Sequence, residues 1–198
     1  MRGFTRSETP ACLVEKQGKW TANWVRRNGE RQKFSWPQYQ RQKLNTVLLP
    51  DLQSDNQFHC CYCDAYPVQG VSSDTIDHFK PKSVFPNEAF AWDNLFYCCS
   101  ACQEEKQELF EDGLIKPDMA DFSFGRFFRF IAATGDIEVN PLASEEDKQR
   151  AEVSIRLLGL NERGRPTTRL NVFQQRYSQY NSGDVFIDDL PYRFIFAP

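Results

Sequence analysis

The chain has 198 residues, of which 40% are hydrophobic, 14% aromatic and 26% charged. These fractions allow a hydrophobic core and exclude a wholly disordered chain. The length fits one domain of ordinary size, or a small module with helical extensions. No run of about 18 apolar residues is present, and the start of the chain shows no apolar signal segment. We therefore expect a soluble cytoplasmic protein that does not enter a membrane.

The net charge of −3 is distributed unevenly along the chain. Residues 1–45 carry ten Lys and Arg against three Glu, a net charge of about +7, which leaves about −10 for the remainder. A basic segment of this kind is either a solvated surface or an arm that faces phosphate or a protein partner. The sequence leaves both alternatives open.

Residues 1–57 are predicted to form a basic amino-terminal extension with a helix. Residues 1–20 show little hydrophobic periodicity, so we expect them to be extended. Trp20 and Trp24 are four positions apart and indicate a short helix or a docking segment. A further helix is predicted to begin at Ser35-Trp36-Pro37, with Ser as its cap and Pro in its first turn, and to end near Pro50.

Residues 58–110 are predicted to form the central unit, in the order strand, strand, helix. We predict the strands at 58–68 and 73–79, a turn between them at Gln69-Gly70, and the helix at 103–109. The residues from 79 to 91 include two prolines and are predicted as an irregular loop. Those from 93 to 97 are predicted as a short helix or turn.

Residues 111–198 are predicted to form a carboxy-terminal extension, which begins with a linker at 113–121. Phenylalanines between 122 and 131, followed by a Thr-Gly-Asp turn, predict a β-hairpin whose aromatic side chains belong to the core. Ser144 is predicted to start a helix that ends at Gly159, and a second helix begins near Pro166. The apolar tail from 184 onwards is either a last strand or a segment that docks on a partner.

Six of the seven cysteines lie in two tight clusters, which indicates a metal site and not a disulfide framework. Four of them form two CxxC pairs: Cys60 with Cys63, and Cys99 with Cys102. Each pair can supply two ligands of a tetrahedral zinc ion, so we predict a structural zinc site from these four thiolates. The neighbouring Cys61 and Cys98 make the register ambiguous, and the CxxC spacing favours the four.

The dipeptide Asp77-His78 lies between the two cysteine pairs, at the end of a predicted strand. Adjacent side chains on a strand point to opposite faces, but a twisted strand end lets Asp77 bind a metal ion while His78 reaches a water molecule beside it. An imidazole with an ordinary pKa of about 6.5 is neutral at cellular pH and can take a proton from that water. Oxygen ligands favour Mg²⁺ or Mn²⁺ as the ion. This arrangement suits hydrolysis of a phosphodiester.

The order of these motifs resembles that of the HNH endonuclease family, which has a ββα-metal fold. The resemblance spans residues 58–110 and rests on the two CxxC pairs, Asp77-His78-Phe79-Lys80-Pro81, Asn94-Leu95 and Lys106. More narrowly, the chain is similar to the HNH nuclease subunit of Septu-type and retron-associated anti-phage defence systems. The narrower resemblance rests on residues 8–10 with Leu13, 77–83, 92–95 and 155–161.

The resemblance implies roles for individual residues. They are Asp77 as metal ligand, His78 as general base, Asn94 as the residue that orients the loop between the second strand and the helix, and Lys106 as a residue near the phosphate. Family members usually carry His or Asn after the last cysteine as a second ligand of the ion. Gln103 occupies that position here, with a side chain one methylene longer than Asn, and Glu104 is an alternative ligand.

The resemblance also implies partners, namely nucleic acid, with DNA expected, and an ABC-type or SMC-like ATPase subunit. The apolar tail and the region of Trp20 and Trp24 are candidate docking surfaces, unless both only complete the core. We therefore expect an α+β protein with a zinc-stabilised ββα-metal core and helical extensions. The favoured function is a metal-dependent HNH endonuclease that acts as effector of a defence complex. The alternatives are a weak or inactive ββα-metal module that binds nucleic acid or its partner, and a zinc-stabilised interaction domain.

Overall fold

A computed structural model describes residues 1–68 and 73–197 of the chain. The helices of this part are α1 (Ala11–Gly29), α2 (Leu44–Asp55), α3 (Ser100–Lys106), α4 (Phe124–Phe127), α5 (Glu145–Leu157) and α6 (Arg165–Ser182). Its strands form three antiparallel pairs: β1 (Gln38–Tyr39) with β2 (Gln42–Lys43), β3 (Asp74–His78) with β4 (Leu95–Cys99), and β5 (Phe128–Phe130) with β6 (Ile137–Val139). The protein is therefore a mixed α+β structure with small sheets. The turn predicted at Gln69-Gly70 lies outside the described residues.

Among the described residues, no helix has both the length and the apolar character that crossing a lipid bilayer requires.

The amino-terminal region is more helical than the sequence predicted. The helix expected around Trp20 and Trp24 is confirmed, but α1 already begins at Ala11, so the extended course predicted up to residue 20 is wrong. Only three of its 19 residues are buried, namely Cys12, Leu13 and Trp24. Three buried residues in about five turns are too few to produce a helical pattern of apolar residues in the sequence.

The helix predicted to start at Ser35 is also displaced. The short hairpin of β1 and β2 occupies residues 38–43, with Gln40 and Arg41 at positive φ in its turn. The following helix α2 begins at Leu44 and continues through Pro50 to Asp55. A left-handed turn of two non-glycine residues has no clear sequence signal, which explains the error.

The central unit keeps the predicted order of two strands and a helix, with one strand in a different place. The strand predicted at 73–79 is confirmed as β3. Its partner is β4, which begins inside the segment 93–97 where we predicted a helix or turn and extends beyond it to Cys99. All five residues of β4 are buried, so no alternation of polar and apolar side chains marks it as a strand. The strand predicted at 58–68 is wrong for the described residues, because this segment is a series of turns. The helix α3 begins at Ser100, three residues earlier than predicted.

The carboxy-terminal extension follows the prediction closely. The hairpin is confirmed as β5 and β6. The hydroxyl of Ser144 accepts a hydrogen bond from the backbone N–H of Asp147 at 3.1 Å and caps α5, and Pro166 lies in the first turn of α6. The predicted linker contains three buried residues, Leu114, Ile115 and Pro117, so it packs into the core.

The tail forms no strand within the described residues up to 197, and it packs onto the rest of this chain. Leu190, Tyr192 and Phe194 are buried. Arg193 forms a buried ion pair with Asp64, with 2.7 Å between Nη2 and Oδ1. This pair joins the tail to the turns that follow α2. Buried hydrophobic residues of all three predicted units form one cluster that runs from Met1 to Ile195.

We expect Arg193→Met to lower the free energy of unfolding by about 3 kcal/mol, because it leaves the Asp64 carboxylate buried without its partner. The matched control is Arg129→Met, which removes an ion pair to Glu138 that is about half exposed on both sides. An exposed pair contributes less than about 1 kcal/mol. Urea denaturation of both variants measures the difference, and equal losses would contradict the structural role of Arg193.

Candidate functional site

The two cysteine pairs meet at one end of the central unit. Cys60 and Cys63 lie in the turns after α2, Cys99 ends β4, and Cys102 lies in the first turn of α3. Their four Sγ atoms are buried and lie within 4.8 Å of one another, with 3.8 Å between those of Cys63 and Cys99. In a tetrahedral site with Zn–S bonds of about 2.3 Å, neighbouring sulfurs are about 3.8 Å apart. The four residues therefore fit a zinc ion.

The backbone of the first pair is shaped to place two sulfurs on one side. The backbone N–H of Asp64 donates to the carbonyl of Cys60 at 2.8 Å, and Asp64 has a φ of +60°, which closes the turn. The N–H of Cys61 donates to the carbonyl of Tyr97 at 3.1 Å and fixes this turn against β4. Among the described residues, the group of cysteines close enough together to hold an ion includes both CxxC pairs and leaves out Cys61 and Cys98, in agreement with the predicted register.

The thiols of the cluster have strongly unequal pKa values. Hydrogen bonds from the three other thiols, Cys102 first, lower the pKa of Cys63 well below its usual value. Burial raises the pKa of Cys60, and hydrogen bonds with the other cysteines raise that of Cys102. A bound cation would favour the thiolate form of all four cysteines.

A buried arginine of α6 supplies positive charge near this cluster. Arg165 donates from Nη1 to the carbonyls of Leu158 and Gly159 at 2.6 and 2.8 Å. Burial lowers the pKa of Arg165, but the four cysteines together raise it by more, so the net shift is upward. A zinc ion with four thiolates carries a net charge of about −2, which a neighbouring guanidinium partly balances.

We expect Cys60→Ala to lose the bound zinc and to unfold at a lower temperature, because three thiolates leave the tetrahedral site open. The matched control is Cys61→Ala, which removes an adjacent buried thiol outside the group of four. Zinc per chain, measured by inductively coupled plasma mass spectrometry, should be about one for the wild type and the control. Equal zinc content in both variants would refute the four-cysteine site.

The imidazole of His78, at the end of β3, is held in one tautomer. Its Nε2 lies 3.0 Å from the backbone carbonyl oxygen of Ala89, which can only accept, so Nε2 carries the hydrogen and Nδ1 presents a lone pair. The indole of Trp36 stacks on the imidazole at 5.3 Å, and the ring of Phe34 meets it edge-on at 5.3 Å. Burial, followed by repulsion from Lys82, lowers the pKa of His78 to about 3. The imidazole is therefore neutral throughout the physiological range.

Asn94 holds the loop that carries the Ala89 carbonyl. Its Oδ1 accepts from the backbone N–H of Lys80 at 2.7 Å, and its Nδ2 donates to the carbonyls of Lys80 and Glu88 at 3.1 and 3.0 Å. The side chain thus joins both ends of the loop between β3 and β4. The expected loop-orienting role fits these contacts, although the loop joins the two strands and does not precede the helix.

Asp77 lies on the opposite face of β3 from His78, as the alternation of a strand requires. Its Oδ2 accepts from the hydroxyl of Tyr62 at 2.8 Å and lies 3.0 Å from Nζ of Lys106. Burial raises the pKa of Asp77, and the charge and hydrogen bonds of Lys106 and Tyr62 oppose this shift. A metal ion at Asp77 would have to compete with a buried ammonium group for the carboxylate.

Lys106 is fully buried and also donates to the backbone carbonyl of His78 at 2.7 Å. It connects α3 to the last two residues of β3. The expected contact of Lys106 with a phosphate stays a prediction, since its partners in the structure belong to the protein itself. No sequence pattern indicated Tyr62, Phe34 or Trp36 as members of this site, because all three contacts arise from tertiary packing.

Gln103 lies beside β3 and donates from Nε2 to the carbonyl of Ile76 at 3.0 Å. It lines a small cavity of about 220 Å³ together with Trp36 and Asn45. The side chain of Glu104 instead forms an ion pair with Arg163, with 2.9 Å between Oε2 and Nη1. These contacts favour Gln103 over Glu104 as the residue of α3 that faces the strand, while its role as a ligand stays a prediction.

In the part of the chain that the structure describes, the cysteine group is the one set of three or more His, Cys, Asp or Glu ligand atoms close enough for an ion. Comparison with known proteins assigns no family: no protein-family model matches the chain, and no curated protein sequence matches it significantly. The function has to be inferred from the geometry of the site.

We expect the wild-type protein to lose more stability between pH 6.5 and pH 5 than His78→Gln, without added Mg²⁺ or Mn²⁺. The folded-state pKa of His78 is about 3, so across this window the unfolded chain binds a proton that the folded chain excludes. Stability therefore falls as the pH falls, by up to about 1.4 kcal/mol per pH unit. The side-chain amide of Gln can donate a hydrogen bond to the Ala89 carbonyl in place of the imidazole, but it does not titrate. Parallel stability curves from urea denaturation would contradict the burial of a neutral His78.

Proposed function

We propose that the protein is a metal-dependent HNH endonuclease that hydrolyses phosphodiester bonds of nucleic acid, with DNA as the expected substrate. The observation that supports this most is the neutral, single-tautomer imidazole of His78 at the end of β3, followed by β4, α3 and the four-cysteine group. A purely structural zinc domain has no need of an oriented imidazole whose hydrogen-bond acceptor is fixed by a separate side chain, Asn94.

In this proposal Nδ1 of His78 accepts the proton of the attacking water. The Ala89 carbonyl keeps the hydrogen on Nε2, and its hydrogen bond strengthens when the ring becomes positively charged. Asn94 keeps that carbonyl in place through its contact with Glu88. An anionic phosphate beside the ring would raise the pKa of His78, because a negative charge favours the imidazolium form. Substrate binding would thus improve a base that is weak in the free protein.

The proposed catalytic ion is Mg²⁺ or Mn²⁺, with Asp77 and Gln103 as the residues that would hold it. When bound, such an ion stabilises negative charge on the phosphate and on the leaving oxygen. Gln103 would have to offer Oε1, since Nε2 donates to Ile76. Asp77 would have to exchange part of its contact with Lys106.

We further propose that the protein acts as the effector subunit of an anti-phage defence complex with an ABC-type or SMC-like ATPase. This part rests on the sequence resemblance alone. An acidic subunit that shares a partner's nucleic-acid surface is compatible with the net charge of −3.

A second candidate is a ββα-metal module that binds nucleic acid or its partner without cleaving. The ion pair between Asp77 and Lys106 favours this alternative, because it neutralises the carboxylate that the catalytic ion would need. The hydrogen bond from Gln103 to the carbonyl of Ile76 also favours this alternative, because it engages the other proposed ligand of the ion.

We expect His78→Ala to reduce the rate of plasmid cleavage by at least about 100-fold, because it removes the general base. Cleavage is measured with Mg²⁺ or Mn²⁺, with and without the ATPase. Zinc content and unfolding temperature serve as controls for the fold. Equal cleavage by wild type and His78→Ala would refute the mechanism. Absence of cleavage by the wild type in every condition, with retained DNA binding, would support the second candidate.

A further inference from the structure

The segment of residues 31–43, here called the basic segment, carries four exposed cations: Arg31, Lys33, Arg41 and Lys43. None of them forms an ion pair within residues 1–68 and 73–197, and the undescribed positions contain no Asp or Glu. Two of the four cations of α1 differ in this respect, while Lys19 and Arg27 form no ion pair among the described residues. Arg26 pairs with Glu30 at 2.9 Å and Lys16 with Glu15 at 2.7 Å. The basic segment is therefore a concentration of cations without ion pairs among the described residues. Two carboxylates lie next to it, because Glu30 accepts a hydrogen bond from Gln32 at 2.7 Å and Glu15 accepts one from Tyr39 at 3.2 Å.

The basic segment runs directly past His78. Phe34 and Trp36, which both contact the imidazole, lie between the cations at 33 and 41. The end of α1 fixes the start of the segment on the loop after β3, because Asn28 donates to the carbonyl of Ser83 at 2.8 Å. Along the chain, the cations thus lie on both sides of the two aromatic residues that contact the imidazole, in a segment whose start is held by packing.

The surface of the basic segment is polar as well as cationic. Gln38, Gln40 and Gln42 are exposed and offer amide donors along the hairpin. The large exposed hydrophobic side chains of the described chain all lie elsewhere. The core of a protein–protein interface is depleted in charge and rich in aromatic side chains, so this surface does not suit a protein partner. Arginine, lysine and amide donors are the groups that contact phosphate and sugar in nucleic-acid complexes.

We propose that the basic segment binds the sugar–phosphate backbone of nucleic acid and leads it across His78. The binding part stands by itself, and the passage across His78 rests on the proposed nuclease function. Such contacts neutralise phosphates and release counterions, so they provide affinity without base preference. The chain can thus be acidic as a whole and still hold a polyanion along one basic edge.

The test is the affinity for a fluorescent DNA duplex, measured by anisotropy without added Mg²⁺ or Mn²⁺ so that no cleavage occurs. We expect Lys33→Gln/Arg41→Gln to weaken binding about tenfold at low salt and to reduce the slope of log affinity against log salt by up to about two, one per lost phosphate contact. The matched control is Arg176→Gln, an exposed cation of α6 that donates a hydrogen bond to the amide oxygen of Gln179 and forms no ion pair among the described residues. It should bind DNA as the wild type does.

Wild-type affinity in the double variant would overturn the proposal, even if the wild type cleaves DNA. A loss per removed charge as large in Arg176→Gln as in the double variant would also overturn it, because binding would then report only net charge. Weakened binding in the double variant alone supports the basic segment as the interface, even if the wild type proves unable to cleave. Loss of binding to the ATPase with retained DNA affinity would assign the segment to the protein partner instead and reject the proposal.

Discussion

Four buried sulfur atoms constrain the geometry of the central unit. They belong to three separate parts of the chain, namely the turns after α2, the end of β4 and the start of α3, and they lie within 4.8 Å of one another. A ββα unit with two five-residue strands and a seven-residue helix buries little surface of its own. A bound metal would supply the cohesion that so small a unit lacks, because its binding energy contributes directly to folding.

The position of the imidazole follows from this frame through a short chain of contacts. Pairing of β3 with β4 places His78 opposite Leu95, at the end of the ladder away from the cysteines. Asn94, one residue before β4, fixes the loop that returns from β3, and that loop carries the acceptor for Nε2. A backbone carbonyl in a hydrogen-bonded loop holds the His78 tautomer with hydrogen on Nε2 more firmly than an acceptor on a flexible side chain would.

The other face of β3 presents the main difficulty for catalysis. Asp77, Lys106 and Tyr62 form a buried polar group in which the carboxylate is already paired. A pair of this kind costs desolvation and gives back little net stability, yet removing one partner is costly. It can hold α3 against β3 as a structural element, or it can open to admit a metal ion. The two candidate functions differ in which of these states is used.

Features that depend on local spacing could be predicted from the amino-acid sequence. Both CxxC pairs, the cap at Ser144, the proline start of α6 and the hairpin of β5 and β6 all depend on residues close together in the chain, and the structure agrees with each of them. Residue type also identified Asp77 and His78 as unusual, since the chain has two histidines.

Features that depend on contacts between distant residues became visible only in the folded chain. The fully buried β4 has no alternating pattern, and the sparse apolar stripe of α1 has no clear period, so both were misplaced. The partners of Asp77 come from positions 62 and 106, and the cover of His78 comes from 34 and 36. Such partners are chosen by packing across the whole chain, which no local pattern encodes. The sequence thus determined which residues could carry the chemistry, and the fold decided which of them meet.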